Sequence, residues 1–346
     1  MSDNPVHFGG PDRPVAFLRD LLAERVARVP EGGSIDWVGY YFRDRRLAAA
    51  LVDARERGVD VRVTLDGHPR TPRANDAVIG MLEAGLGNGL RVVRGRLDGT
   101  PLGKVARPRL HEKLYCFSHP APVAFVGSFN PSGDVPEAEP EVIEVIGDHD
   151  RGHNLLVELR APDLVRALVD HARSLHVARH GCSDRFAASA NRCLRHAGYS
   201  VYFWPRARRH PIMELLLGLE RGSRVRIAAS HISGSSSLSG FCALAARGVK
   251  IEILTESTQR RVPVETERRL THSGISVRRL KADEWVPMHN KFVLIEASAL
   301  KTTIFGSFNW SEPSYRFNRE IGVSTEDPLL FKVFADRWDQ LAAEAE

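Results

Sequence analysis

His111-Glu112-Lys113 followed by Gly127-Ser128-Phe129-Asn130, and His289-Asn290-Lys291 followed by Gly306-Ser307-Phe308-Asn309, are one pattern written twice in a chain of 346 residues. With 14 histidines and few lysines, chance yields roughly 0.3 His-x-Lys triplets per chain, so one triplet alone would carry little weight. Two, each followed by the same tetrapeptide at nearly the same spacing, argue for an internal duplication. Two plainer readings stand beside a chemical one. The histidines sit at strand edges with the tetrapeptides as mere turns, or the duplication survives without its chemistry.

The repeat extends outward from the motifs. In the first copy apolar spacing predicts a helix over Val15–Val29, a strand over Ile35–Phe42, a helix over Arg45–Arg57 stopped by Gly58, and a strand over Val59–Leu65. The second copy gives a helix over Ile212–Arg221, a strand over Arg224–Ala229, a helix near Leu238–Arg247 stopped by Gly248, and a strand over Val249–Leu254. A further helix and strand follow in each copy, Ala74–Ala84 with Leu90–Val93 and Val264–Ser273 with Ser276–Leu280. Then come the motif strands, Lys113–Phe117 and Lys291–Ile295, and the closing helices, Pro162–Val177 and Pro328–Ala343. This alternation predicts an α/β fold of two halves, each a mixed sheet flanked by helices. The boundary is placed near Ala178, giving halves 1–178 and 179–346. Turn residues concentrate in Pro69–Arg73, Leu97–Arg109 and Pro131–Gly152, which suit binding loops and tolerated surface insertions equally.

Composition narrows the partners only weakly. At 43% hydrophobic and 26% charged residues, this is an ordinary globular chain. The net charge of +5 comes mostly from arginine, whose planar fork suits phosphate oxygens. Runs such as Arg206-Ala207-Arg208-Arg209-His210, Arg260-Arg261 and Arg268-Arg269 fit an anionic partner, but solvated surface is the favoured reading. No run of about 18 apolar residues occurs. Met1-Ser2-Asp3-Asn4-Pro5 lacks a basic stretch followed by an apolar one, so a cytoplasmic location is expected. Cys116, Cys182, Cys193 and Cys242 form no Cys-x-x-Cys pair and are expected as thiols, with no metal site.

The residue types fit phosphoryl chemistry. Side chains two apart in a strand share a face, so each His and Lys reach one ligand. Lysine offers a point charge to a non-bridging oxygen, and the asparagine amide and serine hydroxyl offer further donors where charge grows in the transition state. One histidine attacks phosphorus and the other protonates the departing oxygen. The expected set is therefore His111, Lys113, Ser128 and Asn130 with His289, Lys291, Ser307 and Asn309, and neither a cofactor nor a metal ion is required.

His-x-Lys with Gly-Ser-x-Asn in two copies resembles the phospholipase D superfamily. The resemblance covers essentially the whole chain. It implies two α/β halves about a pseudo-twofold axis with the active site between them, and metal-independent catalysis through a phosphohistidine. The activities it implies are phospholipid hydrolysis and headgroup exchange, cardiolipin and phosphatidylserine synthesis, and DNA cleavage. Two departures matter. Ser118 and Glu296 stand where the family carries an aspartate five residues after the lysine. The acidic residue that in the family precedes the next strand and holds the histidine is matched by Glu320, before Ile321-Gly322-Val323. In the first half that place falls to Asn154, before Leu155-Leu156-Val157, with Glu141, Glu144 and Glu158 less well aligned. On this reading Glu320 favours a protonated His289 as the general acid, and His111 is the nucleophile.

Further candidates for the pocket are Tyr40, Tyr41 and His231, at equivalent ends of the first strand of each half, and Trp285 and Trp310, flanking the second motif. Core packing is the plain alternative for each. The favoured activity is hydrolysis or transfer at a phospholipid or other small diester. It admits an alcohol acceptor and peripheral membrane contact, and a monomer with no obligate protein partner suffices. A nuclease is the alternative, although no stacking platform or DNA-binding module is evident. A phosphate-binding protein without turnover is the third.

Overall fold

The computed structural model describes residues 4–94, 108–132, 140–178, 192–206, 210–259, 261–281, 286–298 and 300–345. Cys182, Arg260, Trp285, the run 207–209 and most of the expected loop Leu97–Arg109 lie outside these residues. The chain divides into two compact units, Met1–Cys182 with Trp285–Pro287, and Ser183–Glu284 with Met288–Glu346.

The first unit runs β1 (Val6–Phe8), α1 (Phe17–Ala27), β2 (Ser34–Gly39), α2 (Arg45–Glu56), β3 (Asp60–Asp66), α3 (Asp76–Leu86), β4 (Leu90–Val93), β5 (Leu114–Phe117), β6 (Val123–Gly127), α4 (Pro140–Ile146), β7 (Leu155–Leu159) and α5 (Pro162–Val177). Its sheet has the order β1-β7-β6-β5-β2-β3-β4, with β2, β3 and β4 parallel and the other neighbours antiparallel. Helices cover both faces. Ile35, Trp37, Val61, Val63 and Leu65 join the core cluster that contains buried residues of α1, α2 and α3. The alternate strand positions face α5, where Asp36 pairs with Arg173 and Thr64 meets His176. The apolar residues on the first face fall at alternate positions, Ile35 and Trp37 on β2 and Val61, Val63 and Leu65 on β3, which is why these strands were legible.

The second unit repeats the plan with β8 (Cys193–His196), β9 (Tyr199–Phe203), α6 (Pro211–Leu217), β10 (Arg224–Ala229), α7 (Ser235–Ala246), β11 (Lys250–Thr255), α8 (Val264–His272), β12 (Ser276–Arg279), β13 (Phe292–Ala297), β14 (Leu300–Gly306), α9 (Glu312–Arg316), β15 (Ile321–Thr325) and α10 (Pro328–Glu344). Its sheet order is β12-β11-β10-β13-β14-β15-β9-β8. The closing helices match position by position: α5 buries Leu164, Val165, Leu168, His171, Ala172 and Leu175, and α10 buries Leu330, Phe331, Phe334, Arg337, Trp338 and Leu341. Two mixed sheets flanked by helices are thus the architecture expected from the repeat.

Several expected boundaries move. The strand expected through Phe42 ends at Gly39, and the motif strands begin one residue late, at Leu114 and Phe292, so both His-x-Lys triplets precede a strand rather than open it. Part of the expected loop Pro131–Gly152 is helical, as α4. Gly58 and Gly248 take φ of 85° and 86°, the left-handed conformation that ends α2 and α7.

The tetrapeptide glycines have a packing reason that repeats. A Cβ on Gly127 would stand 2.1 Å from the Leu155 carbonyl oxygen, and one on Gly306 2.2 Å from that of Ile321. Gly127→Ala and Gly306→Ala should each cost about 3 kcal/mol or more in urea unfolding. Gly80→Ala, on α3 with nothing within 4 Å of the added Cβ, should instead raise stability by up to about 1 kcal/mol.

Candidate active site

Each Gly-Ser-Phe-Asn turn is tied down at the same three points. The serine exchanges hydrogen bonds with the start of the next strand: Ser128 N donates to Leu155 O and Leu155 N to Ser128 Oγ at 3.1 Å, while Ser307 N donates to Ile321 O and Ile321 N to Ser307 Oγ at 3.0 Å. The phenylalanines, Phe129 and Phe308, plug the two cores, and Tyr115 Oη donates to Phe129 O. The carbonyl after each asparagine accepts two N–H groups ahead of the following helix. Pro131 O takes those of Arg43 and Asp44, and Trp310 O those of Ser233 and Gly234. The asparagines are thereby held while their amides stay available. Oδ1 of Asn130 and of Asn309 is buried with no hydrogen-bond partner among the described residues. A buried amide without a protein partner points to a ligand, whichever way round the amide is assigned.

The His-x-Lys segments are buried too. Lys113 Nζ donates to the carbonyl of its own His111 at 2.7 Å, and Lys291 Nζ to that of His289 at 3.4 Å, so each ammonium folds back beside its histidine. In the first unit Tyr40 packs on both: its ring lies 4.7 Å from the His111 ring and 5.3 Å from Lys113 Nζ. Burial, with Tyr41 adding to it, pushes the Tyr40 phenol well above its ordinary value, so it stays protonated. Tyr41 is turned to the loop, where its hydroxyl meets Thr71.

In the second unit His231 stands just beyond β10. Its Nδ1 is 2.9 Å from Ser230 Oγ, and it lines a narrow crevice together with Lys291, Asn309 and Trp310. Trp310 is otherwise core, packed with Phe241, Phe308 and Tyr315 around His210. Burial depresses the His210 pKa to about 3, leaving it neutral.

The strand registers equate Asn154 with Glu320. Gly127 pairs with Leu156 and Gly306 with Gly322, so the residue two before each partner is Asn154 in one unit and Glu320 in the other. Both are fully buried. Asn154 Nδ2 donates to His149 O and Gly152 O. Glu320 accepts from Ser307 Oγ at 2.6 Å, Ser314 Oγ at 2.7 Å and Asn318 Nδ2 at 3.4 Å, so the Ser307 hydroxyl is committed to this carboxylate. Glu158 is engaged with His7 and Arg25. Ser118 and Glu296, at the family's aspartate position, bind neighbouring strands: Ser34 N donates to Ser118 Oγ, and Arg226 pairs with Glu296. Among the described residues no cluster of three His, Cys, Asp or Glu side chains could hold a metal ion. Cys116, Cys193 and Cys242 are free thiols.

A family model described as cardiolipin synthase, phospholipase D-like domain, matches residues 32–158 and again residues 219–342, covering both motifs. The chain belongs to the phospholipase D superfamily. Among curated relatives, a mitochondrial cardiolipin hydrolase of Xenopus laevis is 24% identical over 126 residues, which are 36% of this chain and 57% of the relative. One of Danio rerio is 32% identical over 95 residues, 28% of this chain and 40% of the relative. The chain therefore spans about half the length of the curated relatives it matches. Among solved structures, phosphatidylserine synthase from Haemophilus influenzae Rd KW20 superposes with a TM-score of 0.64 at 13% identity, covering 99% of this chain and 87% of that one. Polyphosphate kinase from Porphyromonas gingivalis gives 0.63 at 15%, covering 97% and 46%. At such identities these two likenesses establish the fold.

Several buried polar groups around this phospholipase D-like site escaped the sequence reading. Glu112, between His111 and Lys113, points to the opposite face, where its Oε2 lies 2.8 Å from His171 Nε2 on α5. The loop before Asn154 buries Asp148, His149, Asp150 and His153. The Asp-His-Asp spacing was the only signal for it. Asp150 and Asp44 each lie 3.7 Å from Arg19 Nη1. Burial first, then the Asp44 carboxylate, push the Asp150 carboxyl up from 3.8 to about 7, with Arg19 pulling the other way. Because the folded value lies above the unfolded one, this group's favourable contribution is complete below about pH 4 and is lost as pH rises through about 7. Asp150→Asn should remove that slope, melting above wild type at pH 8, with the gap narrowing at pH 5 and closing below about pH 4.

Proposed function

We propose that this protein is a phosphodiesterase of the phospholipase D type that acts on a phospholipid or similar small diester through a phosphohistidine, without a metal ion. One observation carries the reading: both units build the same His-Lys-Ser-Asn set on the same register, and in each the terminal amide atom of the asparagine assigned as Oδ1, which serves equally as the NH₂ donor if the amide is turned, has no hydrogen-bond partner among the described residues. Two sets of donors suit one phosphoryl group passing through two steps. Neutral His111 attacks phosphorus, the bond to the leaving oxygen breaks, and His289 gives that oxygen its proton. Neutral His289 then takes a proton from water or an alcohol, whose oxygen attacks phosphorus as the phosphorus–nitrogen bond breaks. Lys113, Lys291, Asn130 and Asn309 stabilise the non-bridging oxygens. Of the two serines, Ser128 is the better placed to donate to substrate, since Ser307 serves Glu320.

The carboxylate of Glu320 against the amide of Asn154 makes the two half-sets electrostatically unlike, which supports separate roles for the histidines. The phospholipid assignment leans on the family model and on the cardiolipin hydrolases it resembles in part. No helix among the described residues is long and apolar enough to cross a membrane, and peripheral contact with a lipid surface fits the proposal.

Purified protein should hydrolyse bis(p-nitrophenyl) phosphate in EDTA, and His111→Ala and His289→Ala should each lower kcat by about 10³-fold or more while remaining folded. Headgroup release from phospholipid vesicles supports the lipid assignment, and salt-sensitive cleavage of DNA in EDTA supports a nuclease instead. An inert wild type sinks the catalytic reading. Brief reaction with labelled substrate followed by alkaline quench should place the labelled phosphoryl group, still carrying its remaining ester, on the peptide containing His111, and label on the His289 peptide reverses the roles.

A further inference from the structure

We infer that Asp66 and Glu256 are positioning residues for the two histidines, each setting its His-x-Lys segment by gripping the backbone one residue ahead of it. Asp66 ends β3, and its Oδ2 accepts from the backbone N–H of Leu110 at 2.7 Å, while Oδ1 accepts from that of His68 at 2.8 Å. Glu256 follows β11, and its Oε2 accepts from the backbone N–H of Met288 at 2.9 Å. Leu110 and Met288 directly precede His111 and His289.

The two contacts are the same contact. β3 and β11 lie beside β2 and β10 in the same parallel register, with Gly39 opposite Leu65 and Ala229 opposite Thr255, so Asp66 and Glu256 are the next residue in each case. Both carboxylates are buried, at 3% and 4% exposure. A grip is needed because β5 and β13 begin only at Leu114 and Phe292, beyond the histidine and lysine. Charge-assisted bonds to a backbone N–H are short and strongly directional, and an error of about 1 Å in a reacting group costs on the order of 100-fold in rate.

The surroundings tie each carboxylate further into its site. In the first unit Asp66 O accepts from Asn75 Nδ2, which also donates to Tyr40 O, and Tyr40 packs on His111 and Lys113. In the second, Arg261 Nη1 reaches Glu256 Oε2 at 3.4 Å and Ser230 Oγ at 3.2 Å, and Ser230 meets His231. Asn cannot replace Asp66, since one of its two N–H donors would then face an NH₂ group. Gln at position 256 keeps an oxygen for the Met288 N–H but gives up the charge that pairs with Arg261.

This inference rests on the proposed diesterase reading, and the test separates the two. Asp66→Asn, Glu256→Ala and Glu256→Gln are assayed on bis(p-nitrophenyl) phosphate, and the imidazole titrations of His111 and His289 are followed by NMR. Asp66→Asn and Glu256→Ala should lower kcat about 10- to 100-fold with KM within about 2-fold, and Glu256→Gln should recover part of the loss. Asp66→Asn should perturb the His111 titration and leave that of His289, and Glu256→Ala the reverse. Asp36→Asn, which loses ion pairs with the partly exposed Arg62 and Arg173 but no contact to the motif, should lower the melting temperature without the kcat loss. An active wild type whose Asp66→Asn and Glu256→Ala variants keep full kcat, or shift both histidines alike, overturns the positioning role and leaves the diesterase reading intact. An inert wild type overturns the diesterase reading, and the half-selective titrations then decide alone whether the carboxylates set the histidines.

Discussion

The site depends on two places where one backbone runs against another with no room for a side chain. At Gly127 over Leu155, and at Gly306 over Ile321, a Cβ would lie well inside van der Waals contact of a carbonyl oxygen. That closeness lets the following serine reach the N–H at the start of the next strand, Leu155 or Ile321. It also leaves the phenylalanine pointing into the core and the asparagine at the sheet end. The residue ahead of the facing strand, Asn154 or Glu320, is fixed by the same crossing. A glycine that reads as a turn signal is thus a steric requirement of the whole front of each sheet.

Behind the motifs the two units met the same burial problem with different chemistry. Asp36 on β2 pairs with Arg173 on α5, while the equivalent pair in the second unit, Arg226 on β10 and Asp339 on α10, has its charges exchanged. Glu112 faces His171 where the second unit places Asn290 and buries Arg337 at the position of His171. A buried charge needs a complement, and either partner can supply either sign. The His, Lys, Ser and Asn of the two motifs show no such exchange and recur unchanged.

Most of the architecture was legible because its long elements are strongly periodic. The closing helices and the parallel strands other than β2 lie within one or two residues of their expected bounds. What escaped was short or peripheral: β1 with three residues, the β8–β9 hairpin, and α4 and α9 inside segments rich in turn formers. Tyr40 and Tyr41 show a finer limit. Adjacent residues leave a strand on opposite faces, so which tyrosine meets His111 depended on β2 ending at Gly39, three residues before the expected end.

By itself the sequence determined the duplication, the alternation of helices and strands, and the identity of the His, Lys, Ser and Asn sets, because motif spacing and apolar periodicity are local properties of the chain. The resemblance had already marked Glu320, and only the tertiary structure decided what each acidic group holds. Glu320 sits against Ser307 and Ser314, and Asp66 and Glu256 hold the N–H groups of Leu110 and Met288 from 44 and 32 residues away. Those partnerships arise from strand register and from buried carboxylates seeking donors, and neither leaves a periodic trace along the chain.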